Sequence, residues 1–368
     1  MTSGARHLYV HLPFCAHRCG YCDFVTVVGR RGQHAAYVDA LLQELELELG
    51  LLAGELETVF LGGGTPTFTA LSELRRLLEA LPAAQEVTAE ANPETVTPEL
   101  ARALRDAGVT RISLGAQTFQ PGLLEVLERV AQPDDVRRAV HHLRDAGFDN
   151  ISLDLIYGIP SQSTSQLEAD LDDALALEPE HLSCYELEAK PGTRFTHVWG
   201  AELARQGDAM EEYFERVVAR LTGAGYRWYE TANFCRVADG RDLRARHNLA
   251  YWLGRDYLGL GIGAVSTIEN RRWRNAPRLG PYLAALAEAR PPAREVETLD
   301  SDVRARERVM LGLRLDEPLP LRGLRSAVDV DGLARAEQLG LAVDGGETLA
   351  LTRRGRFLGG AVTAEIVA

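Results

Sequence analysis

The sequence predicts an α/β fold in which six strand–helix units form an incomplete parallel barrel, followed by a smaller α+β domain. Over the first two thirds of the chain, strand-like apolar runs alternate with apolar patterns at helical spacing, which is typical of βαβ units. This alternation ends at about Asn233, beyond which aromatic residues and glycines are mixed. A chain of 368 residues suits one barrel-sized domain and a smaller appended one.

The six units share one pattern, a short apolar run followed by a longer stretch of helical period. The strands are predicted at residues 7–12, 58–61, 87–90, 111–114, 151–156 and 181–187, and the helices between them at 37–49, 71–81, 100–107, 136–146 and 167–177. In a barrel built this way, the functional side chains lie at the carboxyl ends of the strands.

We predict a domain boundary after residue 235, with the barrel in residues 1–235 and the second domain in 236–368. Pro291 and Pro292 indicate a linker within this second part. From about Ser301, short helical patterns alternate with a strand-like piece at residues 348–352, which predicts a small winged-helix-like unit.

Composition excludes several classes of protein. The hydrophobic fraction of 46% is enough for a large core. The net charge of −13 argues against nonspecific nucleic-acid binding, which neutralises phosphates. No apolar run approaches the ~18 residues of a spanning helix, and no signal peptide is recognisable, so we expect a cytoplasmic protein without membrane insertion. In that compartment five cysteines are not expected to form a disulfide framework.

Three of the five cysteines crowd into the stretch that follows the first predicted strand. Cys15, Cys19 and Cys22 have the spacing C-x3-C-x2-C, and thiolates are ligands for zinc, copper(I) or iron–sulfur clusters. A structural zinc ion needs a fourth ligand, which His11 or His17 could supply, so a zinc site stays an alternative. An iron–sulfur cluster held by three cysteines would leave one iron open to a small molecule.

A glycine run, residues 62–64, directly follows the second predicted strand and is continued by Thr65. A phosphate-binding loop would need a following lysine, which is absent. Together with the cysteine motif, this loop resembles the radical S-adenosylmethionine (SAM) superfamily. The resemblance implies that Cys15, Cys19 and Cys22 hold a [4Fe-4S] cluster, one per chain, whose fourth iron binds SAM exchangeably.

The same resemblance implies a set of SAM-binding residues in the barrel. Gly63, Gly64 and Thr65 match the loop that receives the SAM amino group, and Glu90 matches a carboxylate that meets the ribose hydroxyls. The further positions implied are Tyr9, Tyr21, Gln117, Arg129 and Asp154, of which we expect Gln117 and Asp154 to end successive strands.

Within the superfamily, the chain is similar to a group that contains the coproporphyrinogen III dehydrogenases and the HemW heme chaperones. Dehydrogenases usually carry a further cysteine where this chain has Phe24, and a longer amino-terminal cover. The segment 247–252, HNLAYW, matches the HNxxYW signature of HemW proteins. The resemblance therefore favours a HemW-type protein that binds heme and transfers it to an unidentified acceptor hemoprotein, which in turn is expected near a respiratory membrane.

Two other functions remain open from the sequence. One is an oxygen-independent coproporphyrinogen III dehydrogenase, which decarboxylates two propionates by SAM radical chemistry, so the resemblance leaves open whether the protein is an enzyme. The other is a radical SAM enzyme acting on another substrate.

The residues implied for heme binding are His247, Asn248, Tyr251 and Trp252. A neutral imidazole can ligate heme iron, and aromatic rings can cover a porphyrin face. A buried core histidine is the alternative for His247, and Cys184 or Cys235 also remain candidates for the axial ligand. Val265 stands where relatives often have a histidine, so a ligand role of that histidine is not available here.

Overall fold

The computed structural model describes residues 4–188, 190, 193–238 and 240–368. The strands are β1 His7–Leu12, β2 Phe14–Cys15, β3 Val27–Val28, β4 Leu56–Gly63, β5 Ala84–Ala91, β6 Arg111–Gln117, β7 Ile151–Tyr157, β8 His181–Glu186, β9 Tyr226–Trp228, β10 Asn233–Arg236, β11 Tyr257–Leu260, β12 Val265–Ile268, β13 Arg271–Asn275, β14 Arg294–Thr298, β15 Leu319–Pro320, β16 Ala342–Asp344 and β17 Thr348–Leu351. The helices are α1 His34–Glu48, α2 Leu71–Ala80, α3 Pro98–Asp106, α4 Pro121–Val126, α5 Pro133–Asp145, α6 Thr164–Ala176, α7 Arg194–Gly223, α8 Arg246–Trp252, α9 Leu279–Ala287, α10 Ser301–Gly312, α11 Val330–Gln338, α12 Arg353–Phe357 and α13 Gly359–Ile366.

The predicted α/β fold is confirmed. Six strands lie side by side in the order β1-β4-β5-β6-β7-β8, and each pairs parallel with its neighbour. The helices α1, α2, α3, α5 and α6 fall on the five predicted helical patterns. Because parallel neighbours start and end on the same sides, the carboxyl ends of these strands share one rim.

The sheet continues beyond the six parallel strands at both ends. Strand β11 pairs parallel with β1 and is followed by the antiparallel strands β12, β13 and β14, while β10 and β9 extend the other end. Residues 257–298 thus join the same sheet as the barrel strands. The domain boundary after residue 235 stays a prediction, and Pro291 and Pro292 lie between α9 and β14, inside this sheet extension.

The last seventy residues form a small α+β unit, as predicted. Its three strands are arranged β15-β17-β16, and β17 covers the expected strand-like piece. Helices α10, α11 and α13 pack on them around a hydrophobic cluster of their own that includes Val309, Leu333, Leu349 and Ile366. No helix among the described residues has the length and apolar composition needed to cross a membrane.

The two faces of the parallel strands differ in polarity. On β7, Leu153 and Leu155 belong to the main hydrophobic core beneath the helices, whereas Ser152 and Asp154 point to the opposite, inner face. Strand side chains alternate between faces, so the inner faces of the neighbouring strands are polar as well. The barrel interior is therefore lined with groups that can bind a ligand.

Three buried histidines lie on this inner face and are held by hydroxyl groups. Nδ1 of His7 and Nδ1 of His247 both contact Thr58 Oγ1, at 3.0 and 2.7 Å. His181 contacts Ser152 Oγ at 2.8 Å and the Tyr229 hydroxyl at 2.8 Å. Burial lowers the pKa of His7 to about 4 and that of His247 to about 3, and it places the pKa of His181 well below its usual value.

These lowered pKa values predict that acid destabilises the fold. Between pH 6.5 and about 4 the unfolded chain binds protons on these histidines while the folded chain does not, so the free energy of unfolding falls as pH is lowered. Each such ring contributes a slope of about 1.4 kcal/mol per pH unit. Urea unfolding of the apo protein from pH 7 to pH 5 should show that His247→Gln reduces the slope by about 1 kcal/mol per pH unit on average, because the unfolded histidine is only partly protonated near pH 7.

The matched control is His141→Gln, which removes an exposed ring on α5. Its pH slope is the reference for a histidine-to-glutamine substitution at the surface. An unchanged slope in His247→Gln would contradict the assignment of a neutral His247 in the folded state.

Candidate functional site

The three cysteines lie on one loop at the rim of the barrel. Cys15 ends β2, and the parallel pairing of β2 with β3 closes the loop that carries Cys19 and Cys22. Cys15 is 8% exposed, whereas Cys19 and Cys22 are half-buried. The Cys22 amide donates to the Cys19 carbonyl at 3.2 Å, so the loop has a tight turn between these two residues.

The glycine loop packs directly against the start of the cysteine loop. The Gly64 amide donates to the Leu12 carbonyl at 2.8 Å, and the Thr65 amide donates to the Phe14 carbonyl at 2.9 Å. A Cβ at Gly64 would lie 2.5 Å from the Pro13 carbonyl oxygen and 2.9 Å from the Cys15 sulfur. Only glycine permits this close approach.

Both ring nitrogens of His11 are used within the protein. Nε2 lies 2.8 Å from the Val25 carbonyl, and Nδ1 lies 3.0 Å from the Tyr9 hydroxyl. His17 is half exposed at the protein surface, 4.0 Å from a Glu128 carboxylate oxygen. No group of three or more His, Cys, Asp or Glu side chains in the described ranges is arranged to hold a single metal ion. In an iron–sulfur cluster each thiolate binds its own iron, so its thiolates are spaced more widely than those around one ion.

Arg129 connects the cysteine loop to the ends of β5 and β6. Its guanidinium donates to Asn92 Oδ1 at 3.1 Å and to the Gly115 carbonyl at 3.0 Å, and it lies 3.8 Å from the Cys19 sulfur. Asn92 in turn donates to Thr65 Oγ1 at 3.2 Å. Within the described part of the chain, the buried Nε of Arg129 has no hydrogen-bond partner, which leaves one donor of this cation for a ligand.

Two carboxylates face the barrel interior below this rim. Glu90 accepts a hydrogen bond from the Gly63 amide at 3.2 Å. Asp154 accepts from Ser113 Oγ at 2.9 and 3.1 Å. Burial, reinforced by the charge of Asp154, raises the pKa of Glu90 to about 7, and burial also raises the pKa of Asp154.

The expectation that Asp154 ends its strand is wrong. Asp154 is the fourth residue of β7, which continues through Tyr157, because Leu155 and Ile156 are both buried and extend the strand. Its carboxylate therefore lies one layer below the rim. Gln117 does end β6, with a φ of 66° next to a register shift between Gly115 and Gln117.

Tyr21 lies within the cysteine loop, and Tyr9 lies on β1. Tyr21 packs edge-on against Phe195 with ring centroids 6.4 Å apart, and its hydroxyl faces the Arg129 guanidinium. Tyr9 stacks on Phe60 at 6.1 Å. Among the predicted SAM-binding residues, Thr65, Arg129 and Gln117 thus gather around Asn92 and Gly115, and Glu90 is joined to them through the glycine loop.

A cavity of about 370 Å³ opens beside the cysteine loop. It is lined by Cys19, Arg129, Asn92 and the segment 67–71, among others. Thiol, guanidinium and amide groups thus share one opening, which is large enough for part of a small-molecule ligand.

The segment HNxxYW forms helix α8, which packs against the inner face of β4. His247 is 1% exposed, and its Nε2 lies 2.9 Å from the Tyr251 hydroxyl. Since Nδ1 contacts Thr58, both ring nitrogens of His247 have partners within the protein.

Tyr251 and Trp252 line a second cavity of about 770 Å³, which shares no lining residue with the first. Asn248 is half-buried on the same helix.

Five aromatic rings connect the two regions. From the cysteine side they are Tyr9, Phe60, His247, Tyr251 and Tyr257, with successive centroid distances of 6.1, 5.1, 4.9 and 4.6 Å. We call this row of rings the aromatic ladder. Such distances are those of rings in direct packing contact.

The other candidates for an axial heme ligand lie elsewhere. Cys184, on β8, and Cys235, on β10, are 3% and 4% exposed. Burial raises the pKa of both thiols. Two positions where relatives often have another residue are also described. Val265 begins β12, and Phe24, two residues after Cys22, is 65% exposed.

Sequence reasoning missed three residues that hold the site together. Asn92 bridges Thr65 and Arg129, Ser113 holds Asp154, and Thr58 joins His7 to His247. Asn92 directly follows β5, so the rule that side chains at strand carboxyl ends converge would have found it. Ser113 and Thr58 lie within strands and give no such signal.

Comparison with known proteins agrees with these features. The family described as the radical SAM superfamily matches residues 9–174, and the HemN C-terminal domain matches residues 299–358. The structure of the coproporphyrinogen III oxidase HemN from Escherichia coli superposes with a TM-score of 0.83 over 99% of this chain and 90% of that chain, at 24% identity. This likeness shows a shared fold.

Curated relatives at higher identity carry one name. The protein named heme chaperone HemW of Mycobacterium tuberculosis (strain H37Rv) is 38% identical over 98% of this chain and 94% of its own length. The protein of that name from Bacillus subtilis is 32% identical over 96% of this chain and 97% of its own length. With the cysteine loop, the glycine loop and the HNxxYW helix in place, the chain belongs to the HemW family of the radical SAM superfamily.

Proposed function

We propose that this protein is a heme chaperone, which binds heme and transfers it to an acceptor hemoprotein, and that it carries a SAM-ligated [4Fe-4S] cluster. The proposal keeps two expectations from the sequence, namely a cytoplasmic location and no nucleic-acid partner. The single observation that carries it is the separation of two cavities, one beside the thiols and one lined by Tyr251 and Trp252 of the HNxxYW helix.

In this proposal Cys15, Cys19 and Cys22 hold the cluster. The donor set fits, because three soft thiol ligands lie on one loop, whereas the other two cysteines belong to β8 and β10. The cysteine loop packs over Gly64. The Arg129 guanidinium lies beside the Cys19 sulfur and would offset the negative charge of the cluster. When bound and reduced, such a cluster supplies one electron to SAM.

The SAM site would lie along the rim between the cysteine loop and β7. Gly63, Gly64 and Thr65 offer backbone and hydroxyl groups for the amino-acid end of SAM. Glu90 would accept hydrogen bonds from the ribose hydroxyls, and its neighbour Asp154 would keep the inner face acidic below it. Tyr9, Tyr21, Gln117 and Arg129 surround the same space, and the free Nε of Arg129 is a donor for the ligand.

Heme would lie in the second cavity, against Tyr251 and Trp252. Their side chains are half-buried, so they combine apolar surface with access from solvent. His247 and Asn248 would set the position of the helix that carries them, since the His247 ring nitrogens are occupied by Thr58 and Tyr251.

The second candidate function is that of an oxygen-independent coproporphyrinogen III dehydrogenase. It is favoured by the polar inner face of the barrel, where Glu90 and Asp154 would face a substrate next to SAM. A dehydrogenase would hold its substrate beside SAM on this inner face and needs no further ligand site, whereas a heme chaperone needs one, and the cavity at Trp252 shares no residue with the thiol cavity. This separation favours the chaperone.

The function test uses anaerobically reconstituted protein. We expect hemin to give a saturable change in the absorption spectrum, and we expect no protoporphyrinogen by chromatography from coproporphyrinogen III, SAM and dithionite. Cys15→Ala protein supplies the background for the second assay. Protoporphyrinogen formed over many turnovers would show that the protein is the dehydrogenase. A hemin titration that does not saturate would contradict the chaperone function.

A substitution at Gly64 tests the cluster site. Because a Cβ there would collide with the Pro13 carbonyl and the Cys15 sulfur, Gly64→Ala should displace the cysteine loop and lower the affinity for the cluster by about tenfold or more. Iron and sulfide content after anaerobic reconstitution measures this, with Cys15→Ala as the reference for loss. Gly32→Ala is the control, since nothing lies within 4 Å of the added methyl group. Full iron content in both Gly64→Ala and Cys15→Ala would refute the assignment.

The raised pKa of Glu90 predicts pH-dependent SAM binding. With a pKa of about 7 the carboxylate is ionised at pH 8 and protonated at pH 6, and the ionised form is the better hydrogen-bond acceptor. SAM should therefore bind more weakly as pH falls from 8 to 6. Glu90→Gln should weaken binding about tenfold at pH 8 and remove much of this pH dependence.

Equilibrium dialysis of SAM with reconstituted protein at each pH would measure this. Glu99→Gln, on the exposed side of α3, is the matched control. A Glu90→Gln variant with the original pH profile would show that another group titrates.

A further inference from the structure

The cavity of about 770 Å³ lies between three elements of the fold. One wall is formed by Tyr251 and Trp252 of α8, another by Tyr257, Thr267 and Arg272 of β11 to β13. The third wall comes from α10 of the C-terminal unit, with Arg304, Ala305, Glu307, Arg308, Met310 and Leu311. Its volume falls in the range of about 300–1,000 Å³ that is typical of sites for organic ligands.

Among the described residues, three of the four arginines that line this cavity form ion pairs with carboxylates, and Arg308 does not. Arg272 pairs with Glu307 at 2.7 Å, Arg304 with Asp256 at 3.1 Å and Arg255 with Glu57 at 3.1 Å. Arg308 donates to the Trp252 carbonyl at 3.2 Å. No carboxylate in the part of the chain that the structure describes forms an ion pair with it.

Arg308 is therefore a cation without a counter-charge in a partly buried place. Burial, and then the charge of Arg255, lowers the pKa of its guanidinium. Both effects destabilise the cation in the free protein, and a carboxylate ligand would reverse them.

The remaining lining is suited to a flat apolar body. Trp252 lines the cavity, the Arg314 guanidinium lies 4.4 Å from its ring centroid, and its buried Nε1 has no hydrogen-bond partner among the described residues. Tyr251, Tyr257 and Leu311 add apolar surface beside it. Aromatic walls together with a few well-placed polar groups are typical of binding sites for organic ligands.

We propose that this cavity, closed by α10, is the porphyrin site, and that Arg308 binds a propionate carboxylate of the porphyrin. The proposal rests on the heme-binding function proposed above and assigns the recognition to the C-terminal unit. The macrocycle would lie against Trp252 and Tyr251, with its carboxylates toward Arg308. The nitrogens of His247 take no part in it.

The experiment uses metal-free protoporphyrin IX, which has the propionates and the macrocycle but no iron to be ligated. It is titrated into the full chain, with quenching of tryptophan fluorescence as the measurement, and hemin is titrated in parallel. Arg308→Gln should weaken the binding of both by about tenfold, the effect of losing one charge-assisted hydrogen bond. Arg306→Gln is the matched control, because it removes the same charge from the exposed side of the same helix.

A second variant keeps the test decisive if Arg308→Gln does not fold. Met310 is 49% exposed and lines the cavity, so Met310→Glu brings a negative charge to it at small cost to folding. It should weaken the binding of protoporphyrin IX several-fold.

The outcomes separate the two proposals. If the unsubstituted chain binds neither hemin nor protoporphyrin IX saturably, the heme-binding function itself fails. If it binds both, and the Arg308→Gln and Met310→Glu variants bind as tightly as Arg306→Gln, heme binding stands and this cavity is not the site.

Discussion

The site depends on one backbone contact, in which the glycine loop after β4 lies directly against the chain that leaves β1. Two amides, of Gly64 and Thr65, donate to the carbonyls of Leu12 and Phe14, and there is no room for a side chain between the two segments. This contact fixes where Cys15 begins its loop. It also places the Gly63 amide on Glu90, and Thr65 against Asn92 and hence Arg129. Thiols, carboxylate and guanidinium thus take their positions from the same pair of segments.

The inner face of the barrel has a cost in stability. Burial raises the pKa of Glu90 and of Asp154 and lowers that of His181 and His247, which means that the charged forms are disfavoured there. The helices on the outer face compensate by burying the apolar side of the same strands. Arg111, 2% exposed on this inner face, adds a cation whose Nε has no hydrogen-bond partner among the residues that the structure describes. Polar groups arranged in this way are typical of a ligand site rather than of a core optimised for stability.

Much of the fold and part of the site could be predicted from the sequence. The parallel strands were found because their apolar runs are short and regularly separated, and the cysteine loop was found because its spacing is specific. The strands β11 to β14 were missed, since glycines and arginines interrupt their patterns, and pairing with β1 depends on contacts distant in sequence. The place of His247 could not be predicted either, because Thr58, which occupies Nδ1, is 189 residues away. Asp154 was expected at a strand end because of its resemblance to a ligand-binding position, although the predicted strand 151–156 already continued past it, as β7 does.

The aromatic ladder from Tyr9 to Tyr257 has a consequence for how the two ends of the molecule communicate. Protein interiors are packed as densely as organic crystals and transmit strain, and these five rings follow one another at packing distance from the cysteine side to the cavity beside α10. A ligand that displaced Tyr9 would therefore strain the packing of the same intermediate rings as a ligand that displaced Tyr257. By thermodynamic linkage, any coupling free energy that these rings carry is equal in both directions: a ligand at one end would change the affinity at the other end by the same factor as the reverse.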